Sequence, residues 1–414
     1  MLETVEAEKL GFDSDKLQQL TAYLDKHYVE AEKFSGYAYL IARHGEIASL
    51  ICRGKSAMRQ EAADGFEIAP DSIFRIYSMT KPLTSLGLMM LVEQGKVQLN
   101  DPLKTYIPAF ANTQVWENGT AQDYTARPLE RDMTLHDLLT HQSGLTYDFV
   151  ADHPVDALYR RKQLNGARNC GKTLEEFVDI LAQLPLLFAP GTGWNYSVGL
   201  DVIGRVIEIV ANQPLDIFFK THLLEPLGMV DTDFDISPEK KNRLTHCYYH
   251  DPNIGYPRAI DSPARTIYDS QPRFLGGGGG LLSTLNDYYR FCCMLRADGT
   301  LDGKQFVKAE TLAFMRRNQL AHGGDLDGYA KGSFTATGVE GMGFGIGWSL
   351  VLDATKTQAP TSNGTYAWGG LANTNFWIDP VKDLIVIFLA QTMPYGCYPI
   401  REEFAQAVYG AIKD

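Results

Sequence analysis

The period of the hydrophobic positions changes along the chain. After Ser14, which can cap a helix start, Leu17, Leu20, Leu24 and Tyr28 recur at helical spacing and predict an amphipathic helix. Residues 37–43 then become rich in aromatic and branched side chains, and His44 and Gly45 join them to a second such run over residues 46–52. This pattern predicts a β-hairpin with the helix packed on its sheet. Helical patterns follow over residues 83–93, 135–139, 174–184, 198–211 and 215–224, punctuated by loops rich in Pro, Gly and Asn. Beyond Gly276 strand character returns at residues 344–352, 367–378 and 384–390, ahead of a closing helix over about 400–412.

Sheet-forming sequence at both ends with helices between predicts one domain interrupted by another. No internal repeat occurs. The five glycines 276–280 are not followed by GK[ST], so they are expected to make a tight, mobile or closely packed turn and not a phosphate loop.

Composition narrows the function classes. With 414 residues, 45% hydrophobic and 21% charged, the chain is globular and long enough for two or three domains; disorder, collagen and coiled coil are excluded. The 38 Lys and Arg stand against 50 Asp and Glu, a net charge of −12 spread along the chain, which offers no phosphate-neutralising surface. Nucleic-acid and membrane partners are therefore not expected, whereas a neutral or cationic small substrate is easily accommodated. Six Cys without CxxC spacing suggest reduced, mostly buried thiols, neither a disulfide framework nor a zinc ribbon. No signal-peptide core lies in the first 25 residues and no 18 apolar residues run together, which points to a cytoplasmic protein.

No GxSxG is present, so a serine hydrolase here needs another arrangement than the nucleophile elbow. No HExxH is present either. His246 and His250 stand four apart without a third ligand suggested nearby, so no metal is expected. Ser78 and Lys81 form an SxxK, spaced to share one face of a helix. A serine hydroxyl becomes a nucleophile only when a neighbour takes its proton, and at a helix start it also gains N–H groups that stabilise an oxyanion. A second SxxK at residues 237–240 contains Pro and Glu and continues into Lys241, Asn242 and Arg243, as a solvated loop does. Ser78 instead follows the apolar Phe74, Ile76 and Tyr77 and precedes Leu83, Leu86, Met89, Met90 and Leu91, so it enters a core.

Ser78-Met79-Thr80-Lys81-Pro82, the run from Met133 through His136, Asp137, His141 and Gly144 to Leu145, the run from Pro190 through Trp194 and Asn195 to Tyr196-Ser197, and Trp368-Gly369-Gly370 stand in this order. The set resembles the ordered motifs of the serine β-lactamase and penicillin-binding-protein superfamily. The nearest resemblance is to the family VIII carboxylesterases, which are similar to class C β-lactamases, and it runs from about residue 10 to residue 410. It implies an α+β fold: an α/β sandwich of residues 1–75 and 276–414, with an antiparallel sheet flanked by helices. A mostly helical domain of residues 76–275 completes it, with the active site in the cleft. It implies Ser78 as acylated nucleophile, Lys81 as its proton partner and Tyr196 as a second base. The oxyanion hole would be the N–H groups of Ser78 and Leu371. Neither cofactor nor metal is called for.

Two departures bear on substrate. Trp368 stands where penicillin-recognising members carry the lysine of Lys-Thr-Gly, so an anion-binding charge is missing there. Val198 stands where the amide of Tyr-x-Asn would be. Both point from β-lactams toward uncharged short-chain esters, because a site without a polar recognition group has no basis for preferring a substrate that needs one. A β-lactamase, amide hydrolase or acyltransferase of the same superfamily is the first alternative, and a non-catalytic ligand-binding protein that keeps the fold is the second. His141 is read as structural, Thr284 and Asp287 as a capping box for a helix over residues 288–295, and Tyr147 as a lining residue of the pocket mouth.

Overall fold

The hairpin read from residues 37–52 is one side of a larger sheet. In the computed structural model, which describes residues 2–59, 65–166, 170–270, 273–332 and 338–413, strands β1 (Gly36–Arg43) and β2 (Glu46–Gly54) pair antiparallel. The turn residues His44 and Gly45 have φ of 56° and 84°, the geometry that matches strand twist in a two-residue hairpin. Strands β3 (Met342–Phe344), β4 (Ser349–Val351), β5 (Tyr366–Gly370), β6 (Thr374–Asp379) and β7 (Leu384–Leu389) complete the sheet. Its order is β3-β4-β5-β6-β7-β1-β2, antiparallel throughout. Two predicted strands are in fact pairs. Residues 344–352 are divided by Gly345 to Gly347, with Gly347 at φ 91°, and residues 367–378 fold back at Leu371, Ala372 and Asn373, with Asn373 at φ 58°.

Helices α1 (Ser14–Leu24), α2 (Thr80–Glu93), α3 (Gly199–Ala211), α4 (Leu285–Arg296) and α5 (Ile400–Gly410) frame this sheet and the site. The period-2 alternation of the strands sorts side chains between two cores. Tyr37, Tyr39, Ile41, Val386, Phe388 and Trp377 meet Leu17, Leu20 and Leu24 of α1 and Phe404 and Val408 of α5. Ala38, Leu40, Ala42, Ile385, Ile387 and Phe376 face the other way, toward Leu285, Tyr288 and Phe291 of α4. The cap of α1 is Asp13, one residue before the predicted Ser14, because its carboxylate accepts from the N–H groups of Asp15 and Lys16. At α4 Thr284 caps as expected by accepting from Asp287 N–H, but the Asp287 carboxylate turns to Asp231 N–H and Thr232 Oγ, so the box is half formed.

The largest core joins the inner sheet face to the helical middle of the chain, where α2 is buried nearly all round and packs on α3. A two-residue strand, Phe74–Arg75, pairs with Leu282–Ser283 and leads into the segment that carries Ser78. The fully buried Arg75 guanidinium lies 2.7 Å from Asp261 Oδ2 and donates to Thr245 O at 2.7 Å. It thus ties the hairpin of Cys247–His250 and Pro257–Asp261 to the nucleophile's approach. Among the described residues no helix is long and apolar enough to cross a membrane. The six cysteines are free thiols, with Cys170, Cys247 and Cys292 buried.

Candidate active site

Ser78 sits in a single 3₁₀ turn, Tyr77–Met79, immediately before α2. Tyr77 has φ of 43°, a conformation that a bulky residue holds only where its surroundings fix it, and its hydroxyl lies 3.5 Å from Cys247 Sγ. One helical turn on, the buried Lys81 Nζ donates to Ser78 Oγ at 3.3 Å, to Tyr147 Oη at 2.9 Å and to the carbonyl of Gly278 at 2.7 Å. Tyr196 Oη donates to Ser78 Oγ at 2.5 Å, and Lys81 Nζ stands 4.6 Å from the centre of the Tyr196 ring. Ser78, Lys81 and Tyr196 are therefore in mutual contact. Tyr147 is closer to the chemistry than a lining residue: it is buried, and its hydroxyl accepts from Lys81. Burial, and then the neighbouring Tyr196, push the Tyr147 phenol well above its ordinary range, so it stays neutral.

His141 is placed as a structural residue. Its Nδ1 lies 3.1 Å from Ser197 Oγ and its ring packs against Trp194, Tyr196 and Phe344. Burial, then the charge of Lys81, hold it well below the usual histidine range, so the imidazole is neutral. The second SxxK lies in a turn where Lys240 pairs with Asp231 at 3.0 Å. His250 Nδ1 meets Tyr398 Oη at 3.1 Å.

Trp368, Gly369 and Gly370 end β5. Strand β4 pairs with β5 only at Tyr366 and Ala367, so the edge of the following three residues carries no strand partner from β4 and borders a cavity. Among the described residues, no backbone carbonyl takes up the N–H of Ser78 or of Leu371, the pair implied as an oxyanion hole. The glycines are sterically required. A Cβ at Gly370 would stand 2.4 Å from Ile76 O and 2.3 Å from Thr374 Oγ, and one at Gly369 would strike the Arg401 guanidinium at 2.1 Å. Gly370→Ala is expected to push β5 away from the Ile76–Ser78 segment. The clash should lower the stability to urea by about 1–3 kcal/mol, the usual cost of forcing extra atoms into a packed site; an unchanged unfolding midpoint would contradict this.

The cavity, of about 650 Å³, is bordered by Ser78, Tyr147, Tyr196, Trp368, Gly369, Gly370 and Leu371, with Lys81 behind its floor. Its apolar walls come from Ile260, Ile267 and Tyr268 on one side and Leu326, Val339, Met342 and Phe344 on another. The glycine run was expected as a turn, whereas Asp201 and Arg401 had no motif to mark them. The glycine run is a closely packed turn whose Gly278 carbonyl meets Lys81 and whose Gly277 carbonyl accepts from Thr84 at 2.6 Å. Asp201, one of two acids in the largely apolar helix α3, lies behind it. Arg401 of α5 brings a cation to the third motif, where Trp368 alone predicted none. Its Nη2 donates to Gly370 O and Thr374 O at 3.3 and 3.1 Å, while its guanidinium stacks 3.9 Å from the Tyr395 ring centre.

The profile of the Beta-lactamase family matches residues 22–409. Protein Rv1367c of Mycobacterium tuberculosis is 33% identical over 333 residues, covering 80% of this chain and 80% of that protein. Esterase EstB of Burkholderia gladioli is 30% identical over 414 residues, covering 94% of this chain and 95% of its own length. The structure of EstCE1, a hydrolase with promiscuous acyltransferase activity, matches with a TM-score of 0.79 at 26% identity, covering 96% of this chain and 99% of that one.

Proposed function

Because this chain belongs to the Beta-lactamase family, we propose that it is a serine hydrolase of carboxylic esters, working through an acyl-enzyme on Ser78. The observation that carries the reading is the contact of Tyr196 Oη and Lys81 Nζ with Ser78 Oγ on the border of an apolar cavity. The similarity to esterase EstB over nearly both whole chains supports it. In the reaction Ser78 Oγ bonds to the ester carbonyl carbon as its proton passes to the Lys81 and Tyr196 pair. The N–H groups of Ser78 and Leu371 receive the charge that develops on the carbonyl oxygen. The alkoxide departs with that proton, and water, activated in the same place, releases the acid. An acceptor alcohol entering instead of water would make the same acyl-enzyme a transferase. The breadth of the cavity and the likeness to EstCE1 favour this as a second activity.

The test is direct. The enzyme is expected to turn over p-nitrophenyl acetate and butyrate, and a fluorophosphonate should add one adduct per chain, mapped by peptide mass spectrometry to Ser78. An adduct on another residue, or no turnover of any ester offered, would refute the assignment.

A further inference from the structure

Helix α3 carries an acid where its neighbours are apolar. Asp201 is 1% exposed, between Leu200 and Val202, which are wholly buried. Its Oδ1 accepts the N–H of Gly278 at 2.9 Å, and among the described residues Oδ2 has no hydrogen-bond partner. A Cβ on Gly278 would stand 2.7 Å from that Oδ2, so the carboxylate lies directly against this residue. The carbonyl of the same Gly278 accepts from Lys81 Nζ. One glycine thus joins the acid to the lysine that touches the nucleophile.

A buried carboxylate persists where a charge or donor offsets its desolvation. Burial raises Asp201 to about 6, while Lys81 and the Gly278 N–H pull the other way. Lys81 Nζ itself makes three contacts with oxygen, to Ser78, Tyr147 and Gly278. An ammonium supplies three donors, and the Gly278 carbonyl can only accept.

We propose that Asp201 is a positioning residue: it holds the Gly278 peptide so that its carbonyl aims at Lys81 Nζ, and it places a carboxylate behind the amine that touches the nucleophile. The Ser78 proton passes to the Lys81 and Tyr196 pair as Oγ bonds to the acyl carbon, the C=O electron pair moves onto the carbonyl oxygen, and on collapse the departing alkoxide takes that proton from the pair. The ionisable groups bearing on Asp201 are Lys81 from α2, Tyr147 and Cys170, with His141 facing Lys81 and Tyr196 beside Tyr147. The kinetic part of this inference rests on the esterase reading; the spectroscopic part does not.

Asp201→Asn keeps an oxygen for the Gly278 N–H and removes the charge. An anion beside the Ser78, Lys81 and Tyr196 group makes each proton harder to remove, so its loss moves both limbs of the kcat/KM profile toward acid. The expected result is a displacement of about one pH unit and a fall in kcat of about tenfold with KM little changed. Limbs at wild-type pH would overturn the proposal, whatever the rate, since a merely structural role moves the rate alone. In ¹⁵N-lysine-labelled enzyme, the Lys81 Nζ signal, assigned by its absence in Lys81→Met, should shift between pH 8 and pH 4.5 as the Asp201 carboxyl, raised by burial to about 6, takes up a proton; a signal that does not move overturns the proposal. This signal needs no turnover and no folded Asp201 variant, so it decides the matter even if every ester tested is refused.

Discussion

Ser78→Ala is expected to lose ester hydrolysis by roughly 10⁴- to 10⁶-fold and to lose fluorophosphonate labelling entirely. The substitution removes one oxygen from a half-buried turn, so the helix behind it should be undisturbed. Met79, Thr80 and Leu83 remain buried in the core, and the Tyr77 backbone is held from outside the turn. The thermal midpoint should therefore stay within a few degrees of wild type, because the lost hydroxyl borders an open cavity and leaves no new void in the core, and Lys81 keeps its contacts with Tyr147 Oη and Gly278 O. The discriminating measurement pairs steady-state kinetics with circular dichroism on the same preparation. Turnover surviving at a tenth of the wild-type rate in a folded variant would show that another group attacks the ester.

Lys81→Met should reduce kcat/KM by about 10³- to 10⁴-fold, the range of a lost proton-transfer partner. Methionine keeps the length of the stem and removes the charge that meets Ser78 Oγ, Tyr147 Oη and Gly278 O together. Unlike the serine variant, this one leaves buried oxygens without their donor, at a cost of about 1–3 kcal/mol in stability for each one left unpaired. A urea titration beside the kinetics separates the two effects. Tyr196→Phe serves as the companion: it removes the hydroxyl 2.5 Å from Ser78 and should approach the same loss of rate while unfolding close to wild type. Near wild-type rates in either variant would remove that side chain from the proton path.

How much of this was legible beforehand differs by element. The hairpin of β1 and β2 was readable because alternating side chains flank a two-residue turn of the expected type. The C-terminal strands were readable as sheet but not as hairpins, because the β5–β6 turn is built from Leu371, Ala372 and Asn373, which look like strand interior until Asn373 takes positive φ. At the site, Ser78, Lys81, Tyr196 and Trp368 could be singled out by residue type and motif order, and the structure brings them to one cavity. Gly278 acts through a carbonyl that every residue possesses, and Asp201 acts through that glycine. Arg401 reaches the third motif from a helix packed on the opposite layer of the sheet. Such roles depend on where the chain returns, which periodicity does not encode.

The place of β1, between β2 and β7, sets an order of events during synthesis. Ala38 sits opposite Leu389, although the two stand near opposite ends of the sequence. On the ribosome, β1 and β2 emerge first and the strand that covers the inner edge of β1 follows only after the whole helical middle of the chain. Until then residues 38–42, apolar on both faces, present an unpaired edge of the kind that recruits other strands or a chaperone. The helices around Ser78 emerge in that interval, but Leu371 arrives only with the final strands. The nascent chain therefore carries its serine through the synthesis of the helical middle before the opposite wall of the cavity exists.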